Sequence, residues 1–368
     1  MKLFFIKQRF NPYGGAELYL KSVINHLKKD FEIHLLTTNW EEVEGLYIHL
    51  VNSKNLISKD LGFALSARKY LKSLKDDFIA VSFDRTLYQH IYRASDGCHL
   101  RWLENRKKYL EGALKGLSFV VNPKHQIIKW LEKKCLLVSK IVVTNSNMVK
   151  EDFGKFYGTK VYEKCRVIYN GVDLKKFFPV NKEKKIELRR SLGIPQDSAV
   201  ILFVGSGYFR KGLIFLLKAM SLLPKEYVLM VVGKEKRLKE FKLLTKKLQI
   251  DKRVFFFGAQ RDVLKFYHAG DVFVLPTVYD PFSNTCLEAL ACGLPVITTI
   301  ANGASELIIN GKNGFTVELP VDHEKLAVLI DTVYKSLEPM KKFALETAKA
   351  HSIENSVKKF VEVIKCVY

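Results

Sequence analysis

The chain has 368 residues, of which 48% are hydrophobic and 27% are charged. This length exceeds one ordinary domain and suits two, each with its own core, and the composition excludes a disordered chain. The formal net charge of +22 indicates an anionic partner, such as a nucleic acid, a phosphorylated small molecule or an acidic membrane surface. The alternative is a lysine-rich proteome, in which much of the surplus carries no information about partners.

Export and metal-binding signals are missing from the sequence. No apolar run reaches the ~18 residues of a membrane-spanning helix. The opening stretch is charged again at Lys7, so it predicts a strand rather than a signal peptide. The cysteines are scattered without a CxxC pair, which predicts buried thiols in a reducing cytosol and no structural zinc. They are Cys98, Cys135, Cys165, Cys286, Cys292 and Cys366.

Short apolar runs, each followed by helical periodicity, recur along the chain. Those in the first half are 3–6, 33–36, 78–83, 141–146 and 166–171, and those in the second half are 199–205, 228–233, 254–258, 272–276 and 295–299. Continuous apolar strands that alternate with helices predict parallel sheets covered on both faces. The predicted fold class is α/β, with two facing Rossmann-like, doubly wound domains and a cleft between them.

The charged stretch 181–198 indicates a join between the two domains. We expect an N-terminal domain over 1–172 and a C-terminal domain over 173–349. A final helix over about 350–368 is expected to pack back on the first domain. Because ligands of open parallel sheets bind beyond the carboxyl ends of the strands, the loops that follow strands are the places for chemistry.

The first such loop contains Gly14 and Gly15, and helical periodicity follows it from Ala16 to Leu27. A glycine turn at a helix N-terminus lets the backbone approach a ligand and offers N–H groups to an anion. This pattern is weaker than a full GxGxxG, and taken alone it favours a simple tight turn.

The second loop follows the run 199–205 and contains Gly205, Gly207, Arg210 and Lys211. An arginine can donate two parallel hydrogen bonds to phosphate oxygens, and a lysine adds a compact charge. Adjacent cations are often only a solvated basic turn, but their place after a buried strand favours a phosphate site.

The third loop and its helix form residues 280–296, DPFSNTCLEALACGLPV. Ser283 or Asn284 can cap a helix over about 284–292, which Gly293 ends. The positive N-terminus of this helix, beyond the end of a strand, is a further anion site.

Two acids, Asp280 and Glu288, lie eight positions apart in this stretch. A hydrolytic pair needs carboxyl groups about 5 to 9.5 Å apart, whereas eight helical residues span about 12 Å. We therefore expect the two acids to contact different parts of one extended ligand, with Glu288 at a ribose and Asp280 at a sugar beyond the phosphates. Each acid by itself is also consistent with an ordinary turn or exposed helix position.

Together these residues resemble the family 4 retaining glycosyltransferases of the GT-B type. The Asp280-x7-Glu288 spacing is similar to that family's E-x7-E motif, with Asp in the first place, and NGVD at 170–173 also matches. The segments PYGGAE at 12–17, IYRASDGCH at 91–99 and VGSGYFRKG at 204–212 resemble the transferases that add glucose to the heptose of the lipopolysaccharide core. Many members have Arg after the glycine at 205, where this chain has Ser206.

The resemblance implies a role for each candidate residue. Gly14, Gly15 and Gly205 would approach the donor closely, and Arg210 and Lys211 would neutralise its diphosphate and act in catalysis. Glu288 would hold the ribose and the backbone near Arg261 would read the base. Asp280 and Asp96 would act at the reacting carbon, Asp96 from the acceptor side. Backbone amides would meet the sugar and phosphate at Phe282, Ser283, Asn284 and Thr285.

The implied reaction moves a hexose from a nucleotide-diphosphate sugar, most simply UDP-glucose or a similar UDP-sugar, to a glycan or lipid-linked acceptor of the cell surface. No D-x-D cluster follows a strand, so the two cations are expected to replace a divalent metal, and no cofactor is expected beyond the nucleotide-sugar co-substrate. The sequence names neither the sugar, the base nor the acceptor.

The stretch 101–140 contains ten Lys and Arg against three Glu, interspersed with aromatic and aliphatic residues. This mixture predicts docking to an anionic membrane surface, which would make the enzyme peripheral on the inner face of the membrane, or an ordinary solvated helix. The main rival function is a basic protein that binds nucleic acid or membranes without catalysis. No RRM, KH or helix-turn-helix signature supports nucleic-acid binding, so we expect no nucleic-acid partner.

Overall fold

A computed structural model describes residues 2–9, 15–40, 45–52, 58–111, 122–319 and 321–367, with the backbone alone at 15–18, 110 and 111. The chain folds as two compact units. The first contains Met1–Asn170 together with Ile353–Tyr368, and the second contains Gly171–Ser352.

The first unit contains a seven-stranded sheet in the order β3-β2-β1-β4-β5-β6-β7, and all of its pairings are parallel. Its strands are β1 (Lys2–Ile6), β2 (Glu32–Thr37), β3 (Leu46–Leu50), β4 (Phe78–Ser82), β5 (Ile91–Ala94), β6 (Ile141–Thr144) and β7 (Cys165–Val167). Parallel strands need crossover connections, and helices supply them on both faces of the sheet.

The helices of the first unit are α1 (Gly15–Leu27), α2 (Lys59–Ser73), α3 (His99–Arg106), α4 (Pro123–Val138), α5 (Asn147–Tyr157), α6 (Thr159–Lys164) and, at the end of the chain, α14 (Ile353–Lys365). Side chains of α1 and α14 pack with β1, β2 and β4 in one core, where Leu20 and Phe360 are fully buried. The other face of β1 packs against α2 through Phe4 and Phe63.

The second unit contains a six-stranded parallel sheet in the order β10-β9-β8-β11-β12-β13. Its strands are β8 (Ala199–Val204), β9 (Tyr227–Val232), β10 (Val254–Gly258), β11 (Val272–Leu275), β12 (Val296–Thr299) and β13 (Gly314–Val317). The strand order reverses between β8 and β11. In open α/β sheets this switch point is where a crevice for ligands forms beyond the carboxyl ends.

The helices of the second unit are α7 (Lys182–Ser191), α8 (Leu213–Leu222), α9 (Leu238–Lys247), α10 (Leu264–Ala269), α11 (Asn284–Ala291), α12 (His323–Lys335) and α13 (Leu337–Ala350). The predicted fold class, with two doubly wound parallel sheets, is confirmed. None of the described helices is both long and apolar enough to cross a bilayer.

Five of the six cysteines are buried free thiols, in agreement with the sequence prediction. That prediction is wrong for Cys366, which is exposed just after α14. Cys366 follows Lys365, the last residue of α14, so it lies beyond the apolar stripe with which this amphipathic helix packs on the core.

A buried ion pair joins α7 to the sheet of the second unit. Asp271, which precedes β11, accepts from Arg189 Nη2 at 2.6 Å and from Lys185 Nζ at 2.6 Å. Its Oδ2 also accepts from the backbone N–H of Val200 at 2.8 Å. Asp271 and Arg189 are 7% and 6% exposed, so removing one partner would leave a buried charge uncompensated.

We expect Asp271→Asn to lower the free energy of unfolding by about 3–5 kcal/mol, because it strands two cations near the core. The control is Glu338→Gln, which removes a pair with Lys341 whose acid is 84% exposed and whose loss costs below about 1 kcal/mol. Urea denaturation followed by circular dichroism measures both variants. Equal unfolding midpoints for the two variants would contradict the claim that the buried pair contributes more to stability than the exposed pair.

Candidate active site

The loops after β8 and β11 lie side by side at the switch point of the second sheet. The backbone N–H of Val278 donates to the carbonyl of Arg210 at 2.9 Å. Gly212 has a φ of +76°, and a Cβ there would lie 1.8 Å from the carbonyl oxygen of Pro276. Only glycine permits this approach, which brings the predicted cations beside the predicted acid.

Arg210, Lys211 and Asp280 form one cluster in these loops. Asp280 Oδ2 accepts from Lys211 Nζ and, at 3.2 Å, from Arg210 Nη1. Lys211 Nζ also donates to Ser283 Oγ at 3.2 Å. The stem of Lys211 crosses Gly205, where a Cβ would lie 3.1 Å from Lys211 Cγ. A Cβ at 205 would therefore require the Lys211 stem to shift by a few tenths of an ångström.

The cluster carries two positive charges and one negative charge. Burial opposes ionisation of Asp280, but the charges of Lys211 and Arg210 outweigh it and lower the pKa of the carboxyl below its usual value. Burial lowers the pKa of Lys211, and Asp280 opposes that effect. The Lys211 side chain is 9% exposed, whereas that of Arg210 is 37% exposed. The arginine therefore presents the surplus charge to solvent.

The loop that carries Asp280 is held by residues 301–303, and the central one, Asn302, is a residue that the sequence analysis missed. Asp280 N–H donates to the carbonyl of Ala301, and Gly303 N–H donates to the carbonyl of Asp280, both at 2.9 Å. Asn302 is fully buried, and its Oδ1 accepts from the N–H of Ser283 at 3.1 Å. The sequence signal was an Asn-Gly pair directly after a strand, which is typical of a turn.

The helix after this loop, α11, begins at Asn284, and Ser283 occupies its N-cap position. The predicted helix is confirmed, but the Ser283 side chain makes no capping hydrogen bond. Its hydroxyl instead pairs with Lys211 and with Thr285 Oγ1 at 2.9 Å. Phe282 is buried just before the cap. The positive end of α11 thus adjoins the two cations.

Glu288 lies one turn into α11 and faces different partners from Asp280. Its Oε2 accepts from the hydroxyl of Tyr267 at 2.7 Å. Burial raises the pKa of Glu288, while the Tyr267 hydrogen bond and the charge of Lys176 act in the opposite direction. Asp280 and Glu288 therefore have different partners within the protein, and the expectation that they contact different parts of one extended ligand stays a prediction. Tyr267 gave no signal in the sequence beyond that of a core aromatic.

The remaining donor-side candidates lie on neighbouring loops. Arg261 is exposed in the loop after β10, two strands from β8 in the sheet. Ser206 is exposed, and its Oγ accepts from the N–H of Lys234 at 3.0 Å. Ser206 thus connects the loop after β8 to the loop after β9. Many family members have an arginine at this position, whereas in this chain the arginine of the cluster is Arg210.

The first unit holds the other candidates. Gly15 is the first residue of α1, and Gly14 lies outside the described residues. Asp96 is exposed in a turn after β5 in which Gly97 has a φ of +67°. Its Oδ2 accepts from Arg85 Nη1 at 3.2 Å. The same guanidinium contacts buried Glu132 at 2.8 Å, so Arg85 links Asp96 to a buried carboxylate.

Among the described residues, no group of three or more His, Cys, Asp or Glu side chains could hold a metal ion.

Two family models match the chain. Glycosyltransferase Family 4 matches residues 13–176, and Glycosyl transferases group 1 matches residues 184–350. The first match covers most of the first unit and the second covers most of the second unit.

Individual proteins agree with these matches. A glycosyltransferase of Methanocaldococcus jannaschii, MJ1607, is 32% identical over 61% of this chain, and the match spans 59% of that relative's length. The lipopolysaccharide glucosyltransferase WaaG of Escherichia coli K12 is 24% identical over 88% of this chain and 86% of its own.

Solved structures share the fold. A structure of WaaG has a TM-score of 0.82 at 21% identity and covers 98% of this chain and 99% of its own. Anabaena HepE in complex with UDP-glucose has a TM-score of 0.76 at 19% identity and covers both chains fully, at 100%. The two matched models, the parallel sheets and these structures lead to one conclusion: the chain belongs to the family 4 glycosyltransferases and has their GT-B fold.

Proposed function

We propose that the enzyme transfers a hexosyl group from a UDP-sugar to a glycan or lipid-linked acceptor in the synthesis of lipopolysaccharide or another cell-surface polysaccharide. The observation that carries this proposal is the cluster of Arg210, Lys211 and Asp280 beside the N-terminus of α11. A nucleoside diphosphate is the anion that suits two cations and a helix end. HepE in complex with UDP-glucose and the glucosyltransferase name of WaaG support the donor class.

The diphosphate is proposed to lie against Arg210 and Lys211. Negative charge grows on the leaving phosphate as the bond to the sugar breaks, so cations fixed beforehand lower the barrier. Asp280 is the group that fixes them, because its buried carboxylate contacts both side chains. We therefore assign Asp280 a positioning role alongside its proposed contact with the sugar. The same cations are proposed to serve in place of a divalent metal.

The rest of the donor is proposed to extend along α11 and the neighbouring loops. Backbone groups of 282–285 meet the sugar and phosphate, and Glu288 accepts hydrogen bonds from the ribose. The backbone near Arg261 contacts the base, and Gly205 lets the loop after β8 approach the donor closely. The second unit is thus the proposed donor domain and the first unit the acceptor domain.

Transfer with retention of configuration is proposed to follow a front-side path. The acceptor hydroxyl oxygen bonds to the anomeric carbon as the carbon–phosphate oxygen bond breaks, and the departing phosphate takes the hydroxyl proton. Asp96 would act at the acceptor side, where its exposed carboxylate can hydrogen-bond a sugar hydroxyl.

The basic segment 101–140 is proposed to dock the enzyme on the inner face of an anionic membrane. Within the described part of this segment, α4 exposes Lys124, Lys133 and Lys134 together with Trp130, which is 46% exposed. Lysines beside an exposed tryptophan suit the boundary between headgroups and water. Residues 112–121 of the segment lie outside the described residues.

We expect the triple variant Arg210→Met, Lys211→Met and Asp280→Asn, in which the third change avoids a stranded acid, to lose about 100-fold or more in nucleotide affinity. Each hydrogen bond between charged groups contributes about 1.5–3 kcal/mol. The probe is whichever of UDP, GDP and ADP raises the melting temperature most; at ~100 times Kd it adds about 2.7 kcal/mol. Calorimetry measures Kd.

The matched control for this variant is Lys218→Met with Lys225→Met, which removes two exposed cations, one late in α8 and one just before β9. Arg210→Met alone, at a half-exposed position, guards against misfolding. The proposed diphosphate site would be refuted if both the combined variant and Arg210→Met alone bound the nucleotide within about threefold of the control.

For the front-side path, mass spectrometry of intact protein mixed with the donor sugar should show no gain of a hexosyl mass in the wild type or in Asp280→Asn. Asp280→Asn is expected to slow turnover, because the cations lose their common counterion. A trapped hexosyl adduct on any carboxylate would replace this path with a double displacement.

For membrane docking, we expect flotation with phosphatidylglycerol vesicles at low salt and release at high salt. Changing Lys124, Lys133 and Lys134 to Gln should weaken binding on the order of 100-fold, since each lysine adds about 1 kcal/mol. The control changes Lys218, Lys225 and Lys239, which are exposed in the second unit. No flotation, or flotation insensitive to salt, would exclude electrostatic docking.

A further inference from the structure

Tyr267 is a fully buried tyrosine on α10, behind the proposed ribose site. Its ring contacts two phenylalanines. The edge contact with Phe177 has a centroid distance of 5.8 Å and an interplanar angle of 84°, and the contact with Phe273 is at 6.1 Å. These two contacts and full burial restrict the movement of the ring.

The hydroxyl of this ring donates to Glu288 Oε2 at 2.7 Å. A buried phenol needs a hydrogen-bond partner, and a charge-assisted bond to a carboxylate is stronger than one between neutral groups. The bond crosses from α10 to α11. It therefore fixes the Glu288 carboxylate from a separate element, which the short helix α11 cannot do by itself.

We infer that Tyr267 is the positioning residue that orients Glu288 for the nucleotide ribose. The tyrosine occupies Oε2, and Oε1 is the oxygen that then accepts from the ribose hydroxyls. This inference rests on the proposed function of Glu288 and extends it to discrimination between ribonucleotides and nucleotides that lack these hydroxyls. A site built to bond two hydroxyls rejects analogues that lack them, because its polar atoms are left unpaired.

The titratable groups that face Glu288 are Tyr267 on α10, Lys176 before α7, Lys211 after β8 and Cys292 at the end of α11. Burial raises the pKa of Glu288, and the Tyr267 hydrogen bond and both lysines hold it down. Only the carboxylate form accepts bonds from both hydroxyls. Nucleotide affinity should therefore fall as the pH drops through the pKa of Glu288.

Tyr267→Phe keeps the ring and removes the hydroxyl. Because that hydroxyl lowers the pKa of Glu288, its loss raises the pKa further, and affinity should begin to fall at a higher pH than in the wild type. A tyrosine that served only to fill the core would not move this pH profile.

The matched control is Tyr227→Phe. Tyr227 is 2% exposed, and its hydroxyl donates to Asp331 Oδ1 at 2.7 Å, so the same change removes the same type of bond. Tyr227 begins β9, at the end of the sheet opposite the candidate site. The two variants therefore lose similar stability but differ in their distance from the nucleotide.

The experiment measures Kd by calorimetry for UDP and for 2′,3′-dideoxy-UDP, across pH. The proteins are the wild type, Tyr267→Phe, Tyr227→Phe and Glu288→Gln. We expect Tyr267→Phe to lose about tenfold in UDP affinity while its affinity for the dideoxy compound is unchanged. Tyr227→Phe should match the wild type. Phe177→Leu, which loosens the ring but keeps the hydroxyl, should lose a smaller part of the preference and serves if Tyr267→Phe fails to fold.

The outcomes separate this inference from the proposed function. If Glu288→Gln loses the preference for UDP but Tyr267→Phe and Phe177→Leu keep it, the role of Tyr267 is overturned and that of Glu288 stands. Equal weakening of both nucleotides by Tyr267→Phe also overturns it. If the wild type shows no preference, or Glu288→Gln keeps it, the proposed ribose contact itself is wrong.

Discussion

The carboxylate of Asp280 contacts both Lys211 and Arg210 at the point where the strand order of the second sheet reverses. Lys211, whose side chain is 9% exposed, keeps its charge at such a place because a carboxylate neutralises it and the Ser283 hydroxyl accepts a further hydrogen bond. The second cation leaves the cluster with one surplus positive charge. We propose that this surplus charge, next to the N-terminus of α11, holds the diphosphate of the donor and stabilises its departure.

The residues around this cluster act by holding charged groups still. Asn302 anchors the loop that carries Asp280, Gly212 admits the neighbouring loop, and Tyr267 holds Glu288 from the next helix. Catalysis by electrostatic stabilisation depends on such preorganisation, because groups that must move into place during the reaction give back the energy they supply. The neighbours that fix the charged side chains are therefore as much a part of the site as the charged side chains themselves.

Much of the fold was predictable, because buried parallel strands leave continuous apolar runs. Three strands were not predicted. β5 contains the fully buried Arg93, whose guanidinium bonds to the carbonyl of Ile168 at 2.8 Å, and a charge in the middle breaks the apolar run. β3 is a half-exposed edge strand, and β13 begins with a glycine. In each case tertiary contacts decide the structure.

The candidate site was predictable in part. The sequence identified the cations of one loop and the acids of another. It did not show their contacts, because the bond between Arg210 and Asp280 joins residues about 70 positions apart and the bond between Tyr267 and Glu288 joins residues 21 positions apart.

A crystal structure of the enzyme with UDP tests the central claim most directly. The account predicts phosphate oxygens within hydrogen-bond distance of Arg210 Nη atoms, Lys211 Nζ and the first backbone N–H groups of α11, with the ribose at Glu288. Diphosphate density bound elsewhere, with Arg210 and Lys211 still engaged only with Asp280, would contradict it.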